Sequence, residues 1–237
     1  MNVDVLGEAL TDYLKGNYTE DIHTFSSLDQ EDVLPLPYLF RTFDAMPFLE
    51  QKALQECRGH VLDIGCGSGS HSLYLQDRGL AVTALDHSAG AVLTARERGV
   101  RKAVCTDIMA YQGASFDTLL LLMNGVGLAH SMKALGPFLK HLKKRLAIGG
   151  QILLDSSDII YMFEDDELPL PQNRYYGEVD FTMTYKGLKG APFSWLYVAY
   201  ERLYEVAGQN GLHCERIAEG EHYDYLARLT PMSDITS

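Results

Sequence analysis

A chain of 237 residues, 46% hydrophobic and 22% charged, holds enough apolar material for one domain or one with an appended piece, which excludes disorder of the chain as a whole. Acidic side chains outnumber basic ones by 32 to 20, for a formal net charge of −12. Nucleic-acid binding draws most of its free energy from Lys and Arg on phosphates, so nucleic acid is excluded as the expected partner.

The N-terminus has no basic leader pattern, and the longest apolar run within residues 116–129 is Leu119-Leu-Leu-Leu-Met123. That is far short of the ~20 residues a membrane span needs. Cys57, Cys66, Cys105 and Cys214 form no CxxC pair and have no histidine at ligand spacing, which points away from a metal site or a disulfide framework. The expectation is an unprocessed cytoplasmic protein with no membrane partner.

In chain order, Val5/Leu6, Ala9/Leu10 and Tyr13/Leu14 form one apolar helical stripe, Pro35-Leu-Pro37 breaks the chain, and a second helix is predicted over 47–56. Residues 1–46 thus read as a helical N-terminal cap on a domain spanning 47–237. From 59 to 158 short apolar runs alternate with amphipathic stretches, the pattern of strand-helix units around a parallel sheet. Strands are predicted over 60–64, 81–85, 102–105, 118–123 and 151–154, as short runs buried on both faces. Helices are predicted over 70–78, from the N-cap Ser88 to Gly99, and from Pro137 as a first helical residue to Gly149-Gly150. The basic cluster His141, Lys143, Lys144 and Arg145 complements the dipole at the end of that last helix.

Beyond residue 158 the acidic Glu164-Asp-Asp-Glu167 meets Pro169 and Pro171, and a strand pair is predicted over 178–186 and 192–198. A helix over 200–209 and a final hairpin, 212–218 with 222–229, complete the chain. Residues 159–199 read as an insertion on the substrate side of the domain. Eight of the 14 tyrosines, with the single tryptophan, Trp195, follow residue 174. Strand aromatics serve cross-strand packing more often than ligand walls, although such a group also suits an aromatic-lined pocket.

The segment that carries chemistry is Val61-Leu-Asp-Ile-Gly65-Cys-Gly67-Ser-Gly69, a strand running into three glycines ahead of a helix. A Cβ in such a loop would hold a ligand off the backbone, and the helix beyond offers unpaired N–H groups. The GxGxG spacing is neither the dinucleotide GxGxxG nor a P-loop. Asp63 lies within the strand, placed for loop amides or an ammonium group. Asp86 ends the second strand, where a carboxylate can accept from both hydroxyls of a ribose; His87 follows it. Asp107, after the third strand, can accept from an adenine amine while Ile108 packs on the ring. Asn124 follows the fourth strand, near where a reacting group lies if ligands bind at the strands' carboxyl ends.

Those motifs resemble the class I S-adenosylmethionine-dependent methyltransferases. VLDIGCGSG is similar to that family's first motif, and Asp86, Thr106-Asp107-Ile108, residues 116–127 and Leu146-Ala-Ile-Gly-Gly-Gln-Ile-Leu-Leu-Asp155 follow its later motifs in order and spacing. The resemblance covers about residues 47–158 and the final hairpin. It implies an α/β Rossmann-like fold: a seven-stranded, mostly parallel sheet of order 3-2-1-4-5-7-6 with an antiparallel last strand, here with a helical N-terminal extension and a small β insertion before the last helix. It implies S-adenosylmethionine as cofactor, S-adenosylhomocysteine as product, and methylation of an O, N or C atom. The DPPY or NPPY tetrapeptide of amino-methylating nucleic-acid and glutamine enzymes is absent, with Asn124-Gly-Val-Gly127 in its place, which leaves a small-molecule acceptor as the expected partner.

The expected cofactor contacts are Arg41, for the cofactor's carboxylate, and Asp63, Gly65, Cys66, Gly67, Gly69, Asp86, His87, Asp107, Ile108 and Asn124, with Cys66 contributing its backbone. Methyl transfer is largely positioning, so a base is optional, and His130, Asp155 and Asp158 are the candidates, the first two carried forward as catalytic. Two other functions are compatible with a glycine loop of this kind: a non-catalytic adenosyl-ligand-binding protein, and an NAD-dependent oxidoreductase, against which the GxGxG spacing counts.

Overall fold

A computed structural model describes residues 3–163 and 170–232. In chain order the elements are α1 (Val5–Leu14), β1 (Ile22–Ser26), β2 (Glu31–Leu34), α2 (Leu36–Leu39), α3 (Phe48–Glu56), β3 (His60–Ile64), α4 (Ser70–Asp77), β4 (Ala81–Asp86), α5 (Ala89–Glu97), β5 (Ala103–Cys105) and β6 (Phe116–Leu121). There follow α6 (Met132–Lys143), β7 (Leu146–Ser157), β8 (Glu178–Tyr185), β9 (Leu188–Lys189), β10 (Phe193–Leu196), α7 (Tyr200–Gln209), β11 (Leu212–Glu219) and β12 (Asp224–Pro231). The acidic Glu164-Asp-Asp-Glu167 lies outside the described residues.

The main sheet has seven strands in the order β11-β12-β7-β6-β3-β4-β5, parallel except at β12, which runs antiparallel to both neighbours. This is the expected Rossmann-like arrangement. The central strands are buried along their length, as in Leu119, Leu120 and Leu121 of β6 and Ile152, Leu153 and Leu154 of β7, because helices cover both faces. One apolar cluster joins β6 and β7 to α6 and α7, and another joins the opposite face to α3 and Leu75 of α4.

The third predicted helix starts earlier than expected. Ser131 is its N-cap, accepting from Ala134 N at 3.3 Å, and Pro137 sits inside α6. Pro137 is the sixth residue from Met132, one turn in, and a hydroxyl six residues upstream supplies the better cap. Gly149 and Gly150 fall within β7 instead of closing the helix.

The N-terminal segment, expected to be a helical cap, carries α1 and α2 and also the hairpin β1-β2. Those strands join the pair predicted over 178–186 and 192–198, observed as β8 and β10, in a second sheet of order β10-β8-β1-β2, with β9 on β8. Apolar alternation in Ile22-His-Thr-Phe-Ser26 is weak because one face of this sheet lines a cavity with polar side chains, so no period of two stood out.

Helix α1 ties the second sheet to the main one. Asp4 caps it by accepting from Gly7 N at 3.0 Å, and its other oxygen accepts from Ser88 Oγ (2.8 Å) and Gly90 N (3.0 Å) at the start of α5. The helices touch backbone to backbone, and a Cβ on Gly90 would lie 2.4 Å from the Gly7 Cα. Gly90→Ala is therefore expected to cost about 3 kcal/mol and lower Tm by roughly 6–12 °C in a thermal melt.

Candidate active site

The three loop glycines all have positive φ, +77° at Gly65, +51° at Gly67 and +84° at Gly69. A Cβ on Gly67 would meet nothing within 4 Å, and one on Gly65 only Leu128 at 3.7 Å, so those two glycines leave open space above the strand ends. Gly69 is different: a Cβ there would approach Val100 to 2.8 Å, so its role is packing. The Cys66 thiol points into a cluster with Ala84 and Val92, and burial pushes it well above the ordinary thiol range, leaving its backbone to face the loop.

The two carboxylates flanking the loop are held by neighbours. Asp63 accepts from Ser72 Oγ at 2.6 Å. Asp86 accepts from Gly67 N through Oδ2 and from Ser88 N through Oδ1, each at 2.9 Å, tying the loop to the start of α5. Burial pushes the Asp86 carboxyl up, and these two amides offset part of that rise. Each Asp86 oxygen engages one amide and retains a second lone pair for a further donor. His87 extends outward with its side chain 77% exposed. Asp107 is exposed and accepts from Met109 N at 2.6 Å, while Ile108 beside it is buried.

The chain ahead of the main domain is strapped onto the loop. The Leu39 carbonyl accepts from the hydroxyls of Ser68 and Ser70, and Arg98 donates to both hydroxyls from below while lying 4.7 Å over the Phe40 ring. Next along the strap, Arg41 is buried. Its guanidinium lies 3.7 Å over the Tyr38 ring and donates through Nη2 to both oxygens of Glu50 at 2.5 Å. Glu50 also engages His71 Nε2 at 2.8 Å. Burial pushes the Glu50 carboxyl up, but His71 and Arg41 pull it down by more, leaving it below its ordinary value. Among the described residues, Arg41 Nε is buried with no hydrogen-bond partner.

Glu50 and His71 were not among the expected site residues. The available signal for His71 was its position two residues after Gly69, in the first turn of α4. Glu50 carried none, because it meets Arg41 and His71 only once α3 packs beside α4.

Parallel pairing of β3 with β6 sets the turn after β6 alongside the glycine loop. Met123 and Asn124 both adopt positive φ, +64° and +59°, which non-glycine residues hold only when their surroundings impose it. Trp195 Nε1 donates to the Asn124 carbonyl at 3.1 Å, and Asp155 accepts from Gly125 N at 2.8 Å. Gly127 makes room for the tryptophan, since a Cβ there would stand 2.0 Å from Trp195 Nε1. With its backbone thus fixed, Asn124 presents a side-chain amide whose nitrogen and oxygen are both buried and unpartnered among the described residues.

Beside Met123 opens a cavity of about 710 Å³ between the turn and the second sheet, walled by Phe181, Phe193, Trp195, Tyr197 and Tyr161. Neither catalytic candidate lines it. Asp155 sits toward Glu50 and Tyr38, and burial raises its carboxyl to about 6 against the opposing pull of the Gly125 and Asn124 amides. His130, at φ +64°, has Nδ1 2.8 Å from the Ser194 carbonyl, an acceptor only, so Nδ1 carries the proton. Asp158 accepts from the Tyr176 hydroxyl at 2.6 Å and also lies off the cavity wall.

This geometry has close counterparts. A family model described as a methyltransferase domain matches residues 62–154. The crystal structure of a SAM-dependent methyltransferase from Bacteroides fragilis, in complex with S-adenosyl-L-homocysteine, is 41% identical, with a TM-score of 0.90 over 97% of this chain and 95% of that one. The chain belongs to the S-adenosylmethionine-dependent methyltransferases. The methyltransferase also shares its fold with DhpI, in its complex with SAH, at 20% identity and a TM-score of 0.60 over 97% of this chain and 98% of that one. An uncharacterised protein from Synechococcus sp. is 32% identical over 139 residues, 55% of the methyltransferase, which spans only about 33% of that relative's length. Among the described residues, no helix is long and apolar enough to cross a membrane.

Proposed function

We propose that the methyltransferase moves a methyl group from S-adenosylmethionine to an O, N or C atom of a small molecule held in the cavity beneath the second sheet. The observation that carries this reading is the Asn124 turn. One side faces the glycine loop, the carbonyl is held by the cavity's own Trp195, and the side-chain amide is buried without a partner.

The residues present fit the cofactor. Gly65 and Gly67 leave open space, Asp86 keeps lone pairs for ribose hydroxyls, and Asp107 with Ile108 suits an adenine. Asp63 suits the ammonium group, and Arg41, with its unpartnered Nε, suits the carboxylate. When bound, the cofactor supplies an electrophilic methyl on a sulfonium. The protein's share is alignment and exclusion of water, with Trp195 and Asp155 fixing the Asn124 backbone between donor and acceptor. Asp155, its carboxyl standing at about 6, is buried off the cavity wall, so it serves the acceptor through the turn it holds at Gly125 N and not as a base in contact with it. His130 likewise stands off the cavity wall, with Nδ1 on the Ser194 carbonyl.

S-adenosylhomocysteine at about 100 times its Kd is expected to raise Tm by roughly 5–10 °C, and NADH to leave it unchanged. The reverse pattern would favour the oxidoreductase reading. Incubation with isotopically labelled S-adenosylmethionine and a cell metabolite extract is expected to yield a labelled product by mass spectrometry. Stabilisation without any labelled product would instead indicate a non-catalytic binding protein.

A further inference from the structure

The cavity wall is one face of the second sheet, and its side chains fall in cross-strand rows. Asp32, Thr24 and Met183 are direct partners across β2, β1 and β8; Ser26, Phe181 and Phe193 form the next row across β1, β8 and β10. Direct partners project to the same side, so the Asp32 carboxylate shares its surface with the aromatic rings. Asp32 accepts only from the neighbouring Val33 N, at 2.7 Å, and has no cationic partner among the described residues. His23 on β1 is committed elsewhere, 3.4 Å from Glu31, and Arg174, ahead of β8, donates to Asp180 at 2.8 Å. Among the described residues, no Lys, Arg or His lines the cavity.

We infer that this cavity takes an apolar, ring-bearing acceptor with a cationic amine group and rejects acceptors carrying a carboxylate or phosphate, an inference that rests on the methyl-transfer reading above. An ammonium group finds there a carboxylate without a counter-ion and the negative faces of several aromatic rings, both attractive. An anion meets the same carboxylate and the same ring faces with no basic residue to offset them, and its desolvation goes uncompensated. The apolar body of the ligand is served by Met123, Met162, Met183 and Ile159, which adapt to its outline.

The single tryptophan of the chain makes this measurable, because Trp195 is part of the wall. Titrating the full-length protein with 2-phenylethylamine and with 3-phenylpropionate, followed by Trp195 fluorescence, is expected to show the amine binding at least about tenfold more tightly. Asp32→Asn is expected to bring the two within about twofold while leaving the thermal shift with S-adenosylhomocysteine unchanged. Equal or tighter binding of the carboxylate overturns the inference, as does a preference that survives in Asp32→Asn. It is also overturned if neither probe alters the fluorescence up to about 10 mM. The thermal shift on the same samples tests the methyl-transfer reading separately. A missing shift sinks that reading, and the titration still judges the cavity.

Discussion

Glu50→Ala is expected to lose about 3–5 kcal/mol of folding stability, read as a lower urea midpoint at unchanged slope. The carboxylate removed is buried and engages both the Arg41 guanidinium, at 2.5 Å, and His71 Nε2, at 2.8 Å. Arg41 would be left a buried cation with only the Tyr38 ring and the Tyr38 carbonyl as neighbours, and an uncompensated buried charge is what makes breaking such a pair expensive. Glu50→Gln keeps an acceptor oxygen and is expected to lose less. A loss below about 1 kcal/mol for the alanine variant would mean that the pair is as weak as an exposed one.

The same pair dictates a pH dependence with a definite sign. In the folded protein the Glu50 carboxyl stands below its ordinary value of 4.5, so the folded state holds its proton less tightly than the unfolded chain does. Its contribution is fully present above pH about 4.5 and is lost as the pH falls through the folded value. The stability difference between the parent and Glu50→Gln should therefore be constant near neutrality and shrink on acidification, as urea melts at a series of pH values would show.

The second large effect is on the ligand. Asp86→Ala is expected to weaken S-adenosylhomocysteine about 100-fold by calorimetric titration, since charge-assisted hydrogen bonds contribute about 1.5–3 kcal/mol each. Two consequences combine. The variant loses the proposed acceptor for the ribose hydroxyls, and it frees Gly67 N and Ser88 N, so the loop is no longer fastened to the start of α5. Asp86→Asn retains one acceptor oxygen and should fall between the two. An affinity within about threefold of the parent for the alanine variant would show that Asp86 serves only to cap the local backbone.

The main sheet was readable because its signals are local. Residues 60–64, 81–85 and 118–123 are short apolar runs, and they form β3, β4 and β6 with shifts of at most two residues at either end. Ser88 as an N-cap needed only its own hydroxyl and Ala91 N three residues on. The misplacement of the helix start at Pro137 came from trusting proline over Ser131, although a proline one turn inside a helix is tolerated when the carbonyl ahead of it is freed. The hairpin β1-β2 carried no comparable signal, because both strands are short and polar on the cavity side, and β2 lies at the edge of the sheet.

The site divides along the same line. Gly65, Gly67, Asp63, Asp86 and Asp107 could be picked out from the chain because glycine conformation and a carboxylate at a strand end are properties of a few consecutive residues, and a parallel sheet aligns successive strand ends on one side. Arg41 meeting Glu50 and His71, Trp195 holding the Asn124 carbonyl, and Asp32 sharing a face with Phe181 and Phe193 depend on contacts between segments far apart in the chain. Residues 22–34 and 178–196 carry no periodicity that names each other as partners. Their pairing follows from α1 docking on α5 and from the burial that only the assembled domain supplies. The cofactor half of the site is thus written in local backbone chemistry, and the acceptor half exists because distant strands were brought together over the turn that follows β6.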